Sequence, residues 1–235
     1  MKTNVTNDPA KTAGRYITEK IAEHQKKDIL LLLSGGSVLQ ILEYIDASSF
    51  GPHVTLALTD DRFTDNIQEN NFLQIQNTEF FSKINERGIE VIATNPQAKE
   101  DFDAFFNRIE GEYNSYVNTH TNAYVLGIFG IGDDGHTASI FPDDTVSFKN
   151  KYRNENILTQ TFNGPLPYAQ RITITPKFIE EHINEVVLYA VGKNKCQTIL
   201  QDMYNTNFDE HQIPALIPAS HPQSILITDC EEIAP

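Results

Sequence analysis

The stretch AYVLGIFGIGDDGHTASIFP, residues 123–142, joins an apolar run to a turn rich in glycine and charge. Residues 123–129 are typical of a buried strand, and three glycines, two carboxylates and a histidine follow directly. In open α/β sheets, ligands bind just beyond the carboxyl ends of such strands. Glycines let a ligand approach the backbone closely, and imidazole suits proton transfer near neutral pH. We therefore expect the functional site at this turn, with His136 in it.

Apolar runs alternate with helical stripes along the rest of the chain. Strand-like runs lie at residues 29–33, 54–58, 89–93, 123–129, 157–162, 172–174, 186–191 and 225–228, and helical spacing lies at 38–45, 71–81, 102–117 and 196–203. This alternation predicts a doubly wound, three-layer α/β/α fold with a mainly parallel, Rossmann-like sheet. We expect residues 1–235 to form a single domain, with a surface excursion at 142–156 and a long ordered loop at 205–223.

Composition narrows the class of protein. The chain has 235 residues and a formal net charge of −14. This charge argues against a nucleic-acid partner, whose binding needs a basic surface. Cys196 and Cys230 show no paired spacing, which suits a reducing cytosol better than a disulfide scaffold. Because no signal peptide is visible and the longest aliphatic run, Ile29–Leu33, cannot span a bilayer, we expect a soluble, cytoplasmic protein without a membrane partner.

Gly130, Gly132 and Gly135 match the dinucleotide fingerprint G-x-G-x-x-G. That motif normally opens the first βα unit, whereas here it lies beyond the middle of the chain. Asp133 and Asp134 would also place negative charge where a pyrophosphate binds. The acidic residue about 20 positions further on would be Glu155, which precedes an apolar run instead of ending one. We therefore do not expect nucleotide binding at this turn.

A second glycine-rich turn, Ser34-Gly35-Gly36-Ser37, follows the first apolar run. Backbone N–H groups at a strand-to-helix turn, together with the helix N-terminus, form a natural phosphate cradle. A tight turn with Ser37 as N-cap explains the same residues equally well. A P-loop is excluded, because no Gly-Lys-Ser/Thr follows at the required spacing.

Charged residues also follow the second buried run, in Thr59-Asp60-Asp61-Arg62. Packing explains such charges poorly, so they are candidates for the site. The alternative is a solvated loop with a local Asp–Arg ion pair, which adds little stability. Asn70-Asn71 opens the next helical segment and can serve simply as its cap.

Two later cations, Arg171 and Lys195, precede a strand and a helix respectively. Singly, each is typical of a protein surface, but close to residues 35–37 they would form a phosphate clamp. The seven histidines show no paired metal-ligand spacing, and the carboxylates beside His136 alone are a weak cation signal. The chain also has no Gly-x-Ser-x-Gly elbow for an activated serine. We expect neither a metal nor a cofactor.

In this order and spacing, the segments resemble 6-phosphogluconolactonases over nearly the whole chain, from about Ala10 to Thr228. The resemblance is carried by SGGS at 34–37, DDR at 60–62, NN at 70–71, GIGDDGHTASIFP at 130–142, RITIT at 171–175 and G-x-x-K at 192–195. The family belongs to a wider group that includes glucosamine-6-phosphate deaminases, and the resemblance implies the doubly wound α/β/α fold. Deaminases resemble the pattern DGHIAFNEP, whose glutamate falls where this chain has Phe141.

The resemblance implies hydrolysis of 6-phospho-D-glucono-1,5-lactone to 6-phospho-D-gluconate in the oxidative pentose phosphate pathway. His136 would activate the attacking water, and Asp134, Asp60 and Arg62 would orient the imidazole, the water or the carbonyl. The implied phosphate-binding residues are Ser34, Gly35, Gly36, Ser37, Arg171 and Lys195. Ester hydrolysis involves no redox change, so no cofactor is implied.

The chain differs from the family pattern mainly around the second loop, with Asp61 for a glutamate and Thr64-Asp65 for Val-Pro. Two alternatives remain open at this point. One is a deaminase or isomerase of the same fold, and the other is a non-catalytic sugar-phosphate-binding protein. We expect a monomer or a small homo-oligomer.

Overall fold

Strands and helices alternate along the chain in a computed structural model that describes residues 1–162, 170–204 and 207–233. The strands are β1 (Lys2–Val5), β2 (Ile29–Leu33), β3 (Val54–Leu58), β4 (Asp60–Arg62), β5 (Glu90–Val91), β6 (Tyr124–Gly130), β7 (Leu158–Phe162), β8 (Gln170–Ile174), β9 (Glu185–Ala190) and β10 (Ser224–Thr228). The α-helices are α1 (Pro9–Glu23), α2 (Asn71–Gln76), α3 (Glu79–Glu86), α4 (Phe102–Thr119), α5 (Thr145–Tyr152), α6 (Pro176–His182), α7 (Lys193–Gln197), α8 (Ile199–Met203) and α9 (Leu216–Ala219). A 3₁₀ helix spans Gly36–Tyr44.

The main sheet is parallel and has the strand order β1-β10-β9-β6-β2-β3-β5. Ile29 at the start of β2 pairs with Val54 of β3 on one side and with Tyr124 of β6 on the other. The chain therefore builds the sheet outward from β2 in one direction and then returns to build it in the other. This reversal is the topological switch point of a doubly wound fold, where a crevice opens at the carboxyl ends of the strands. The predicted fold class is confirmed.

Both faces of the main sheet are covered, which explains why its central strands are apolar throughout. Leu30 and Leu32 of β2 pack in one core with Ile109 of α4. Leu31 and its alternate neighbours pack in a second core with Ile17 of α1. Successive side chains of a strand point to opposite faces, so a strand buried on both sides has no polar position.

A smaller antiparallel sheet, with the order β4-β8-β7, lies beside the main one. The assignment of residues 157–162 and 172–174 to a mainly parallel sheet was therefore wrong for these two segments. A parallel connection needs a crossover of a dozen or more residues, and the stretch between β7 and β8 is shorter than that. In this sheet Arg62 stands directly opposite Arg171.

Other elements depart from the sequence prediction locally. β1 was not predicted, and the helical stripe at 71–81 is divided between α2 and α3, where the Thr78 side chain caps α3. The excursion at 142–156 contains α5, whose Phe148 and Tyr152 are buried. The loop at 205–223 contains α9, and residues 205 and 206 lie outside the described residues. No helix within the described ranges is long and apolar enough to cross a bilayer.

The cysteines are paired, contrary to the sequence prediction. Cys196 of α7 and Cys230 form a disulfide with a Cα–Cα distance of 5.3 Å. They are 34 residues apart in the chain, which hid the pairing. α7 follows β9 and Cys230 follows β10, and these strands are neighbours in the sheet. The fold therefore brings the two sulfur atoms together.

Candidate active site

A cavity of about 220 Å³ opens where β2, β3, β6 and β9 end. The residues that line it are Ser34, Gly35, Gly36, Ser37, Asp60, Arg62, Asn71, Gly130, Ile131, Gly132, His136, Ala138 and Lys195. They come from loops that are far apart in sequence, and the parallel sheet carries each loop to the same edge. The cavity therefore lies at the switch point between β2 and β6.

The structure brings most of the predicted site residues together. The turn at residues 34–37, Asp60, Arg62, His136 and Lys195 line the cavity, whereas Asp134 and Arg171 are not among its described lining residues. Asp134 contacts the His136 ring at Nδ1, and Arg171 is paired with Arg62 in the small sheet. The imidazole and the candidate phosphate cradle thus share one cavity.

His136 is held by the carboxylate two residues before it. Its ring Nδ1 lies 2.5 Å from Asp134 Oδ1, and its backbone N–H donates to the same oxygen at 3.1 Å. A carboxylate only accepts, so Nδ1 carries the hydrogen and Nε2 is left as the basic nitrogen. Partial burial acts to raise the pKa of Asp134, but the hydrogen bonds and charge of His136 outweigh it and lower that pKa. The His136 side chain is 35% exposed, so the ring is accessible from the cavity.

The backbone at Gly132 lies directly against this imidazole. A Cβ atom there would be 2.0 Å from His136 Nδ1 and 2.7 Å from Asp134 Oδ1. Contacts under 3.0 Å essentially never occur for a real Cβ. No helix begins between Gly130 and Pro142, so the glycines do not open a dinucleotide-binding helix. Gly132 makes room for the His136–Asp134 pair.

Gly35 and Gly36 line the cavity from another loop, the turn that follows β2. The 3₁₀ helix has Gly35 as its N-cap, so the prediction of Ser37 as the cap was wrong. Gly36 has φ +62°, a left-handed conformation that glycine adopts without strain. The first amides of a helix have no carbonyl partner inside it, so this turn offers N–H groups to the cavity.

Asp61 is a buried anchor for the loop that follows β3. Its side chain accepts from the backbone N–H groups of Arg62, Asn71 and Phe72 at 2.7, 2.7 and 3.0 Å, and from Thr94 Oγ1 at 2.5 Å. Burial raises its pKa to about 7, although these hydrogen bonds act to lower it. The alternative of a solvated loop with an Asp–Arg ion pair is therefore wrong.

Asn71 is a cavity residue that sequence analysis treated only as part of a cap. Asn70 is indeed the cap of α2, with Oδ1 accepting from Leu73 N at 2.8 Å. Asn71 instead turns its side chain inward, where its amide donates to the Asp60 carbonyl and accepts from Arg62 Nη1. Its one sequence signal was the position of an asparagine pair at a helix start, and that signal does not separate the two roles.

Arg62 and Arg171 form a pocket of positive charge with unused donors. In both residues the Nε atom is buried and has no hydrogen-bond partner among the described residues. Burial, and then the charge of Arg62, lowers the pKa of Arg171. Like charges directly opposite on neighbouring strands are unfavourable unless something compensates them. The Arg171 guanidinium also lies 5.6 Å from the Phe141 ring centre, and that ring is 5.0 Å from the His136 ring centre.

One cluster of possible metal ligands is found in the part of the chain that the structure describes. It consists of Cys196, Cys230 and Glu232, and its two sulfur atoms are joined in the disulfide. None of these three residues is among the described lining residues of the active-site cavity, although Cys196 directly follows Lys195, which is.

Comparison with known proteins gives consistent matches. The chain is 27% identical over 180 residues to the 6-phosphogluconolactonase of Borreliella burgdorferi, covering 73% of this chain and 70% of the relative. It is 25% identical over 204 residues to the 6-phosphogluconolactonase of Homo sapiens, covering 80% and 73% of the two chains. The crystal structure of 6-phosphogluconolactonase from Thermotoga maritima has the same fold, with a TM-score of 0.74, 20% identity and coverage of 97% of this chain and 98% of that one. Residues 4–226 match the family described as glucosamine-6-phosphate isomerases/6-phosphogluconolactonase, so the chain belongs to this family.

Proposed function

We propose that this protein hydrolyses 6-phospho-D-glucono-1,5-lactone to 6-phospho-D-gluconate, a step of the oxidative pentose phosphate pathway. The observation that carries the proposal is that His136, which is paired with Asp134, shares one cavity with the glycine turn at residues 34–37. The names of the relatives support the same substrate. A base and an anion cradle in one cavity are what a phosphorylated lactone requires.

In the proposed mechanism, His136 Nε2 takes a proton from the water that attacks the lactone carbonyl. Asp134 holds the ring through Nδ1 and stabilises the imidazolium that forms. The tetrahedral intermediate then collapses, the bond from the carbonyl carbon to the ring oxygen breaks, and His136 returns the proton to that oxygen. Positioned acid–base catalysis of this kind contributes about 10²–10⁴-fold to the rate.

The other residues divide between the carbonyl and the phosphate. Both Asp60 and Arg62 line the cavity with His136. We assign Asp60 to positioning the attacking water and Arg62 to stabilising the developing oxyanion. The phosphate rests on the amides of the turn at residues 34–37 and is paired with Lys195. Arg171 acts from beside Arg62, where its unpaired Nε adds positive charge. Protein donors meet both charges, so the proposed reaction uses no cofactor or metal.

The deaminase alternative requires a carboxylate that this chain lacks, namely the glutamate of the deaminase pattern that assists opening of the sugar ring. Phe141 stands in place of the glutamate, and its ring packs 5.0 Å from the His136 ring centre. The phenyl ring of Phe141 has no acidic or basic atom, so it cannot relay a proton to a sugar ring oxygen. Nothing in the cavity favours a non-catalytic binding protein over an enzyme.

We further propose that the chain acts as one sugar-phosphate lactonase domain in the cytoplasm, as a monomer or small homo-oligomer without a nucleic-acid partner. The net charge of −14 supports the last point. Because Cys196 and Cys230 form a disulfide, the cysteines no longer favour a reducing compartment. The proposed cytoplasmic location therefore rests on the proposed substrate alone.

The test is turnover of freshly generated lactone by the purified protein, with the spontaneous hydrolysis rate subtracted. Wild type should hydrolyse the phosphorylated lactone and prefer it to gluconolactone, and His136→Ala should lose about 10²–10⁴-fold in kcat. His211→Ala is a matched control, because His211 also pairs with an aspartate, Asp209, but lies outside the described cavity lining. Ammonia release from glucosamine 6-phosphate in place of lactone turnover would refute the proposal.

A further inference from the structure

The Asp60 carboxylate is held at both oxygens by hydroxyl groups of the protein. Oδ1 accepts from Thr59 Oγ1 at 3.1 Å, and Oδ2 accepts from Ser139 Oγ at 2.6 Å. Asp60 is 6% exposed and reaches the cavity, whereas Ser139 is 0% exposed. Ser139 therefore cannot touch a ligand in the cavity, and any effect that it has on the site must pass through another residue.

Ser139 lies on the same turn as the catalytic imidazole, three residues after His136. Thr137 and Ile140 close this turn with hydrogen bonds in both directions, Ile140 N to Thr137 O at 2.9 Å and Thr137 N to Ile140 O at 3.3 Å. Between them Ala138 has φ +50°, in the left-handed region that costs a residue with a Cβ. Such a conformation persists only where the surrounding contacts hold it.

The contacts that hold this turn converge on Ser139. Its backbone N–H donates to Thr173 Oγ1 at 3.3 Å, and its carbonyl accepts from the Tyr152 hydroxyl at 3.4 Å. With its backbone fixed on both sides, its hydroxyl is directed at Asp60. A hydroxyl bonded to a carboxylate makes one of the stronger and shorter hydrogen bonds in proteins.

We propose that Ser139 is a positioning residue, which fixes the Asp60 carboxylate relative to His136. Its hydrogen bond joins the loop after β3 to the loop after β6, across 79 residues of sequence. A carboxylate offers about four lone-pair sites, and two are taken by Thr59 and Ser139. The remaining lone pairs of Asp60 can then accept from the attacking water or a sugar hydroxyl. This inference rests on the proposed lactonase function.

The first experiment compares Ser139→Ala with Ser224→Ala. Ser224 is a matched control, because it is 3% exposed, donates to the Ala219 carbonyl at 2.7 Å and begins β10, at the opposite end of the sheet from the cavity. We expect Ser139→Ala to lower kcat about tenfold and leave KM within about twofold, at a cost in thermal stability similar to that of Ser224→Ala, which keeps full turnover. Wild-type kcat in Ser139→Ala would overturn the inference.

A double-mutant cycle with Asp60→Asn distinguishes positioning from a general structural role. If Ser139 acts through Asp60, Ser139→Ala should cost nothing further in the Asp60→Asn background. Losses that multiply in the double variant would overturn the inference. Where Asp60→Asn falls to the spontaneous rate, the cycle is repeated on kcat with Asp60→Glu, which keeps a carboxylate but displaces it, with the same two outcomes. A wild type without lactonase activity would instead refute the proposed function, so the two failures are distinguishable.

Discussion

Gly35→Ala tests how closely the glycine turn at residues 34–37 packs against Asn71, which follows the loop that carries Arg62. A Cβ on Gly35 would lie 2.0 Å from Asn71 Oδ1 and 2.4 Å from its Cγ. Asn71 is 2% exposed and is held by hydrogen bonds to Asp60 and Arg62, so its side chain cannot give way without losing them. Either the asparagine leaves its place or the backbone of residues 34–36 moves away from it.

The cost follows from the hydrogen bonds that Asn71 makes in the native state. Its amide donates to the Asp60 carbonyl at 3.1 Å and accepts from Arg62 Nη1 at 3.2 Å. A neutral hydrogen bond contributes about 1 kcal/mol and one to a charged group about 1.5–3 kcal/mol. Losing both lowers the free energy of unfolding by about 2.5–4 kcal/mol. KM for the lactone should rise as well, because Gly35, Asn71 and Arg62 all line the cavity.

The neighbouring glycine supplies the control. On Gly36 a Cβ would meet no described heavy atom within 4 Å, but the residue has φ +62°, so Gly36→Ala introduces backbone strain without a clash. That strain costs about 1–2 kcal/mol. Urea unfolding and steady-state kinetics of both variants give the comparison. If Gly35→Ala is no less stable than Gly36→Ala, the close approach to Asn71 does not constrain this turn as we describe.

Two further predictions concern buried groups. The pKa of Asp61 is about 7, against an ordinary 3.8, so the folded state binds the carboxyl proton more tightly than the unfolded state does. The free energy of unfolding therefore falls as pH rises from about 4 to 7 and is level above that. Between pH 4.5 and a folded pKa of about 7, about 2.5 pH units at 1.36 kcal/mol each give about 3 kcal/mol. The difference in unfolding free energy between wild type and Asp61→Asn should therefore shrink by about 3 kcal/mol from pH 4.5 to pH 7.5 in urea melts, and a constant difference would contradict it. Cys196→Ser opens a loop of 34 residues closed by Cys230, which costs about 3–4 kcal/mol by chain entropy. Wild type in reductant should match the variant, and a wild type that is insensitive to reductant would show that the disulfide contributes nothing.

The parts of the fold that the sequence predicts are those where burial acts on both sides of a strand. Ile29–Leu33 is apolar because two helical layers cover it, and such a run can be identified without knowing the partners. β1, with Lys2 and Asn4, lies at the sheet edge and has no such pattern. β4 consists of Asp60–Arg62, of which Asp60 and Arg62 line the cavity and Asp61 is a buried polar group that holds the following loop. Strands whose residues serve function have no hydrophobic period to reveal them.

The part of the candidate site that could be predicted from the sequence is the part whose residues directly follow the buried strands. Glycines, carboxylates and a histidine placed after apolar runs identify three of the loops, and the parallel sheet brings those loops together. What remained hidden depends on contacts between distant segments, such as the Ser139–Asp60 hydrogen bond and the inward turn of Asn71. Neither residue type nor spacing specifies which way those side chains face. The Cys196–Cys230 disulfide was missed for the same reason.

The charge of the whole chain and the charge of its site have opposite signs, and only the local sign governs a small ligand. At physiological ionic strength charges are screened over about 8 Å, so most of the net charge of −14 acts weakly on a molecule inside the cavity. There Arg62 and Lys195 line the wall, and Arg171 stands behind Arg62. The two arginines each keep a buried Nε without a described partner, and burial, followed by repulsion from Arg62, lowers the pKa of Arg171. A bound phosphate or oxyanion would relieve both the repulsion and the unmet donors, and water would relieve them less well. Under the proposed function, the acidic exterior would disfavour polyanions such as nucleic acids, while the cavity would take a single small anion.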